Sequence, residues 1–503
     1  MENISNEKKP FIKKFKTKNR YYIYDVNTNE ILGVNKTVYD IIDEIYENNI
    51  VGIVEKFKHN YPVQEIKENY DLIKRMEKEK RYFFPRSPNI SSGINSIEDV
   101  KSALRSGLPQ IVMELTDRCN QRCCYCSFSG EYAYTRTHGK NDMTFQTAKK
   151  ALDFFIKRAG EIYDNQGTAV TYYGGEPLLR FDLLKETVDY VVNIHPDKKV
   201  RFAITTNGTL LYRKDVIDFL VKNDIGISIS IDGPVKIHNR YRLFVNKKPT
   251  FNRIFKNLAF IKEKHPDYFS RKISIIAVLA PPFEIEEVSV FFYKNDFFNN
   301  LKERITIGLV DPVDTTFFKD YHLEDEIKKV KNIFNRLVQQ YKEALIKDTY
   351  NELTIEKDLF LRRFYNIASR KIYPLGKVFP PKGGCFPGRR KLFVDTCGKF
   401  FMCEKVSGNF EIGNVEKGFY YEKIYRFCQE YDRFFSDCKY CWALRLCDKC
   451  FNSIRKGEKM DFKRKKEFCI TMRDTIEGDL ITYCEIIEKN PTAFKVYENM
   501  VIR

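Results

Sequence analysis

Apolar and polar residues alternate in short runs between about Phe15 and Val34, where KFKTKNRYYIYDVNTNEILGVN gives two strands around an Asn/Thr-rich turn. The period then lengthens. Apolar positions fall at helical spacing in TVYDIIDEIYENN, in VGIVEKFKHNY and, after Pro62, in VQEIKENYDLIKRMEKEK, so residues 1–95 are expected to form a small β-then-helix domain. Residues 86–96, RSPNISSGINS, have the composition of a linker.

Beyond the linker, strand-like and helix-like segments take turns. IVMEL (111–115) precedes a helical pattern over 144–159, TAVTYY one over 181–193, and VRFAITT one over 213–222. GISISI precedes 252–263, KISIIAVLA precedes 285–294, and RITIGLV closes the series at Arg304 to Val310. Six strands separated by helices are parallel strands joined by crossovers, in a layered sheet or a barrel. Function in such barrels sits on the loops that leave the strand C-termini. The unit spans 108–315; a bridge at 316–375, helical over 322–372, follows, and a cysteine-rich unit, 376–503, opens at Pro380, Pro381, Gly383 and Gly384.

A chain of 503 residues has the length of roughly three domains. With 43% apolar and 31% charged residues it has the material for folded cores. The apolar stretch from Ile273 to Phe283 is broken by Ser274, Pro281 and Pro282 and is too short to span a bilayer. The N-terminus MENISNEKKP lacks an apolar secretory segment, so a cytoplasmic protein is expected. The net charge of +18 is spread along the chain without a Lys/Arg tract, so it describes a solvated surface and no nucleic-acid partner is expected.

The fourteen cysteines change the picture, because they cluster. Four fall at Cys119, Cys123, Cys124 and Cys126, and ten between Cys385 and Cys484. In a reducing compartment such grouping favours metal or iron–sulfur ligation over disulfides. Cys119, Cys123 and Cys126 give CxxxCxxC directly after the first strand of the alternating unit. Three thiolates on a four-iron cubane leave one iron open to bind a small molecule. A zinc site is the alternative that the residue types allow.

CxxxCxxC with the aromatic Tyr125 before its last cysteine, at the end of the first strand of a six-fold βα pattern, resembles the radical S-adenosylmethionine (SAM) superfamily over residues 108–315. The resemblance implies a partial (β/α)6 TIM-like barrel and a [4Fe–4S] cluster on Cys119, Cys123 and Cys126. It also implies a SAM site. Gly174, Gly175, Glu176 and Pro177 match the loop that holds the methionine amino group, Asn207, Ser230 and Asp232 match lining positions, and Arg242 matches a ligand of the methionine carboxylate. His238 is expected to be structural.

Downstream, Cys385, Gly398 and Cys403, then Cys438-x2-Cys441-x5-Cys447-x2-Cys450 and Cys469, resemble the SPASM domain, which carries two auxiliary [4Fe–4S] clusters and so makes three in all. By that resemblance Cys438, Cys441, Cys447 and Cys469 hold the outer cluster, and Cys385, Cys403 and Cys450 the inner one. The spacing before Cys450 is one residue shorter than the family pattern. The fourth inner ligand is unassigned, with Cys397 at an expected hairpin turn as a candidate. Buried inert thiols are expected at Cys124, Cys397, Cys428 and Cys484.

The N-terminal unit is similar in pattern to the winged-helix-like element with which maturases of ribosomally made peptides bind a leader segment by strand addition. Together these resemblances imply a radical SAM–SPASM peptide maturase of the thioether-forming sactipeptide or ranthipeptide type. A 5′-deoxyadenosyl radical made from SAM abstracts a substrate hydrogen in such enzymes. The partners implied are a precursor peptide with a leader and a low-potential electron donor such as ferredoxin or flavodoxin. An anaerobic sulfatase maturase and a carbon–carbon cross-linking maturase share the barrel. A metal-ribbon nucleic-acid binder would explain the charge and the CxxC pairs, but neither CxxxCxxC nor GGEP.

Overall fold

A computed structural model describes residues 9–497 apart from 86, 106, 134, 160–166, 197–198, 350–353 and 384. The outer ends of the first and last expected units, 1–8 and 498–503, and Gly384 of the expected glycine pair lie outside the described residues. The first unit is an antiparallel meander, β1 (Ile12–Lys16), β2 (Tyr21–Asp25) and β3 (Glu30–Val34), one strand more than expected. The run IKKFK hides its periodicity because Phe15 is its one buried side chain. The β2–β3 turn is fixed by Asp25, whose Oδ2 accepts from Thr28 N and Oγ1 at 2.8 and 2.7 Å. Helices α1 (Lys36–Ile41), α2 (Ile50–Phe57) and α3 (Val63–Lys80) follow, the first two capped by Asn35 and Asn49. Ile23 packs with Ile41, Ile53, Ile66 and Ile73 on that side of the sheet. On the other side Phe15, Tyr22 and Tyr24 pack against Ile367, Ile476 and Leu480 from the far end of the chain.

The expected linker is tied down. Strand β4 (Asn89–Ile90) pairs with Val378–Phe379, and Ser91 Oγ, Ser92 N and Ser92 Oγ all donate to the Asp432 carboxylate. Its polar residues are hydrogen-bonding partners, which composition alone does not distinguish from solvated loop. Helix α4 (Ile97–Arg105) leads into the barrel.

The alternating unit follows the expected order. Strand β5 (Gln110–Thr116) precedes α5 (Phe145–Ala159), β6 (Thr168–Gly174) precedes α6 (Phe181–Ile194), and β7 (Val200–Thr206) precedes α7 (Lys214–Lys222). After β8 (Gly226–Ser230) come α8 (Val235–Tyr241), α9 (Phe251–Lys264) and α10 (Pro266–Lys272), two helices more than expected. Strand β9 (Ile273–Leu279), α11 (Ile285–Tyr293) and β10 (Ile305–Leu309) complete it. The six strands are parallel in the order β10-β9-β8-β7-β6-β5. One face meets the helices through buried Ile111, Val170, Tyr172, Ile204, Ile229 and Ile275. The other lines a cavity with Gln110, Thr171, Thr205, Ser230 and Thr306. This polar alternation is what lets a barrel interior hold a ligand in place of a packed core.

Two bridging helices, α12 (Leu323–Ile346) and α13 (Ile355–Ala368), precede β11 (Val378–Phe379). Strand β12 (Leu392–Val394) then pairs parallel with β5, opposite Ile111, Val112 and Met113, and β13 (Lys399–Phe401), β14 (Gly413–Asn414) and β15 (Gly418–Phe419) extend the sheet to ten strands. Helices α14 (Tyr421–Phe434) and α15 (Phe462–Lys489) end the unit. Among the described residues no helix is long and apolar enough to cross a membrane.

Leu480 on α15 is fully buried under the first sheet. Leu480→Ala is expected to destabilise the fold by about 2–5 kcal/mol and to raise hydrogen exchange in β1–β3, measured by denaturant melts and exchange mass spectrometry. A second expectation concerns pH. Tyr293 of α11 donates to Asp358 of α13, and burial pushes that carboxyl up to about 7. A carboxyl raised in the folded state favours folding below its ordinary range and loses that contribution as pH rises through 7. Stability should therefore fall more steeply from pH 5 to 8 in wild type than in Asp358→Asn, read from urea midpoints.

Candidate active site

The loop leaving β5 carries CxxxCxxC, and its backbone folds so that three thiols turn inward while Cys124 is exposed. Gln121 N donates to Cys119 Sγ and Phe128 N to Cys126 Sγ, both at 3.4 Å. Asn207 Nδ2 stands 3.8 Å from Cys119 Sγ, and Arg242 Nη1 3.9 Å from Cys123 Sγ. Burial pushes the Cys119 thiol up to about 12 and raises Cys123 and Cys126 as well. Thiolates there need a cationic centre. Gln121 is 1% exposed, and its Nε2 has no acceptor among the described residues. An iron–sulfur cluster fits both facts, since its metal displaces the thiol protons and its sulfurs accept hydrogen bonds. Among the described residues no three His, Cys, Asp or Glu side chains gather as the ligands of a single metal ion.

The glycine pair after β6 lets two loops touch. A Cβ on Gly174, whose φ is +126°, would stand 2.3 Å from Thr116 O, and one on Gly175 2.1 Å from Arg118 O. Contact that close excludes any other residue. Gly175 N and Glu176 N donate to those same carbonyls at 2.9 and 2.8 Å. The Glu176 carboxylate turns inward, accepting from Leu178 N, Thr206 Oγ1 and Asn207 N at 3.0, 2.7 and 2.7 Å. Burial nonetheless raises it to about 7. Pro177 starts the helical turn behind the loop, and Asn207 Nδ2 also reaches Asn120 Oδ1 at 2.8 Å. Glu176 and Asn207 thus brace the segment that carries Cys119.

Asp232 is buried and its Oδ2 accepts from Tyr125 Oη and, at 3.0 Å, from Arg242 Nε. Its Oδ1 accepts from Val278 N at 3.1 Å. The carboxylate therefore positions Tyr125 and Arg242, which line the cavity together with Ser230. His238 is structural, as expected. Its Nδ1 accepts from Asp232 N at 3.4 Å, so Nε2 donates to Thr250 Oγ1 at 3.0 Å, which in turn donates to Arg242 O at 2.7 Å. Burial lowers this imidazole to about 4 and keeps it neutral.

The cavity, about 690 Å³, runs from Tyr125 and Cys126 to Lys391, Glu404, Lys405, Asn452 and Arg455 of the cysteine-rich unit. Sequence reasoning missed its tie. Arg136 donates to Val406 O at 3.0 Å and to Glu404 O, lies 4.1 Å over the Phe393 ring, and stands 3.5 Å from buried Glu114. A glutamate within the apolar strand IVMELT is the signal that could have found the pair.

The structure gathers Cys438, Cys441, Cys447 and Cys469 around one small cavity, together with Lys382 and Lys449. Cys403 lies near Cys450, and Cys385 and Cys450 both neighbour the buried Tyr431. Cys397 does not join them. It sits at the tip of the β12–β13 hairpin, where a Cβ on Gly398 would meet Val415 and Thr147, whereas Cys385 and Cys403 flank the opposite, open end of that hairpin. Three strand residues separate the ends by roughly 10 Å. Of the four thiols expected to be buried, Cys428 and Cys484 are; Cys124 and Cys397 are exposed because each occupies a loop tip.

The orientation of the loop sets a test. Cys119→Ala, Cys123→Ala or Cys126→Ala should each abolish reductive SAM cleavage and lower the iron content, whereas Cys124→Ala should retain at least half of wild-type cleavage. Iron analysis and chromatographic assay of 5′-deoxyadenosine check both.

Residues 113–291 match the sequence model of the radical SAM superfamily. The chain is 33% identical over 156 residues to an uncharacterised protein of Methanocaldococcus jannaschii, MJ0907, covering 31% of this chain and 49% of that one. It is 29% identical over 193 residues, 38% of this chain and 49% of the relative, to a cysteine-type anaerobic sulfatase-maturating enzyme of Clostridium novyi. A longer match, 21% identical over 388 residues, covers 73% of this chain and 75% of the radical SAM cyclopropyl synthase TigE of Paramaledivibacter caminithermalis. The chain thus spans about half the length of the first two relatives. The solved structure of anSMEcpe with AdoMet bound superposes with a TM-score of 0.53 at 19% identity, covering 78% of this chain and 96% of that one, a likeness of fold. The barrel, its three-thiol loop and this match agree on a radical SAM domain over residues 113–291.

Proposed function

We propose that this chain modifies a ribosomally made peptide by radical chemistry, joining a peptide cysteine sulfur to a carbon of another residue. The cavity carries the reading, because it opens on Cys126 at one wall and on Glu404, next to Cys403, at the other. A side chain held in it lies between a radical source and a second thiol set. In this reading Cys119, Cys123 and Cys126 hold one [4Fe–4S] cluster, Cys438, Cys441, Cys447 and Cys469 a second, and Cys385, Cys403 and Cys450 a third that keeps one iron free for substrate sulfur. SAM bound at the first supplies the carbon-centred oxidant.

The chain's own residues orient and enclose. Arg242, steadied by Asp232, presents the rest of its guanidinium to the cavity as a carboxylate ligand. Gln110, Thr171, Ser230 and Thr306 offer hydrogen bonds to a polar ligand along the barrel wall. Lys405 and Arg455 at the far wall favour an anionic sulfur over a neutral thiol. The open edges of the β1–β3 sheet suit an added leader strand. A ferredoxin or flavodoxin supplies the electron.

Similarity to TigE over 73% of the chain favours a second reading, a carbon–carbon bond in the product. Incubation with precursor peptide, SAM and reductant separates the outcomes by mass spectrometry after alkylation. A thioether product lacks two hydrogens and one alkylatable thiol; a carbon–carbon product lacks the hydrogens, keeps the thiol and is cross-linked in fragment spectra; oxidation of the sulfatase-maturase type leaves no cross-link, losing the sulfur at a cysteine or two hydrogens at a serine. The free inner iron gives a further expectation: peptide should change the inner-cluster electron paramagnetic resonance (EPR) signal, and Cys397→Ala should leave that signal as in wild type. An inner signal indifferent to peptide but destroyed by Cys397→Ala would refute the free position.

A further inference from the structure

Lys449 is 3% exposed, and no carboxylate pairs with it among the described residues. Its Nζ donates to Cys469 Sγ at 3.8 Å and rests 4.2 Å from the Phe435 ring. It occupies the shortened interval between Cys447 and Cys450, so it stands where the chain passes from the outer thiol set to the inner one. Its backbone is held from outside as well. Gly383, at φ +80°, brings its Cα so near the Lys449 carbonyl that a Cβ would stand 1.9 Å from it. The ammonium is therefore fixed in place.

A buried ammonium is costly unless an anion compensates it. The four thiols around this cavity are the available anion, and only as thiolates. Other cations face the same set. Arg473 hydrogen-bonds the Cys441 thiol, Lys382 lines the cavity, and Lys465, near Cys438, is already paired with Asp437. Lys449 is the one directed at Cys469, which lies on α15, remote in sequence from its three companions.

We infer that Lys449 is a redox-positioning residue that raises the reduction potential of the cluster held by Cys438, Cys441, Cys447 and Cys469; the inference rests on the three-cluster reading above. Adding one electron makes the cluster with its four thiolates more negative, and a fixed cation donating to one of its sulfurs favours that form. The effect requires the charge and the donor together. Arginine supplies both, glutamine keeps a donor without charge, and methionine supplies neither.

The test uses the full chain, reconstituted anaerobically, with Cys119, Cys123 and Cys126 replaced by alanine to silence the radical cluster. The outer signal is identified as the EPR feature lost in Cys469→Ala, and dithionite titration reads its midpoint. Lys449→Met should weaken electron uptake at least tenfold, about 59 mV for a one-electron couple. Lys449→Gln should fall in the same direction, and Lys449→Arg should stay within threefold of wild type. Equal midpoints in all four proteins overturn the inference. Where the neutral variants lose the signal, its retention in Lys449→Arg supports a charge requirement, and its loss there too refutes it in favour of packing. Failure of the underlying reading looks different: the wild-type chain then binds zinc or no metal at these cysteines by elemental analysis.

Discussion

Everything at the site depends on the parallel pairing of β12 with β5. A partial barrel ends in an exposed edge, and β5 is that edge; Leu392, Phe393 and Val394 cover it opposite Ile111, Val112 and Met113. Val112, Phe393 and Phe401 then form a small core of their own beside Tyr173, with the Arg136 guanidinium over Phe393. The strand that carries the three-thiol loop is thereby hydrogen-bonded to the hairpin that leads to Cys403. The distance between the two thiol sets is set by a sheet and not by a flexible linker, and the cavity between them inherits that rigidity.

Buried charge does the finer positioning. Asp232 holds Tyr125 and Arg242, Glu176 holds the Asn207 turn, and Glu114 faces Arg136. Burial alone would neutralise such carboxyls, and it raises both Glu114 and Glu176 to about 7. Asp232 and Glu176 are kept in place by donors from different strands and loops, and Glu114 by the Arg136 charge 3.5 Å away, so each records the relative position of two elements. A conservative exchange at such a point leaves a donor unmatched in a low-dielectric setting, where the cost is of order 1–3 kcal/mol.

The alternation of strand and helix made the barrel legible, because parallel strands buried against helices need an apolar face and the crossovers need helical periodicity. VRFAITT is β7 residue for residue, and the other five strands differ from expectation by one residue at one or both ends. CxxxCxxC and GGEP were legible as local patterns, and the structure places both at strand C-termini. What was not legible depends on contacts distant in sequence. RSPNISSGINS has linker chemistry until Asp432 supplies an acceptor, and Cys397 resembles a ligand until hairpin geometry turns it away. Arg136, Glu114 and Lys449 carry no motif; Glu114 and Lys449 matter because they are buried, and Arg136 because it reaches Glu114 and the Glu404 carbonyl, which a sequence does not print.

The first sheet and the cysteine-rich unit meet on α15. This helix carries Cys469 in its second turn and Ile476 and Leu480 farther along, the latter two buried beneath β1 and β2. At 28 residues it is about 42 Å of continuous backbone hydrogen bonding. Lys13 of β1 also pairs with Glu477 at 2.7 Å, and Thr17, at the β1–β2 turn, donates to Glu488 at 2.6 Å. The β1–β3 sheet is therefore clamped to the same rod that carries Cys469 of the outer thiol set. Under the proposed function, a leader strand added there would join a body already fixed relative to the cavity. Under the same proposal the peptide's reactive segment would be confined by its own length to the 690 Å³ between Cys126 and Arg455, which would restrict where along the peptide the chemistry falls.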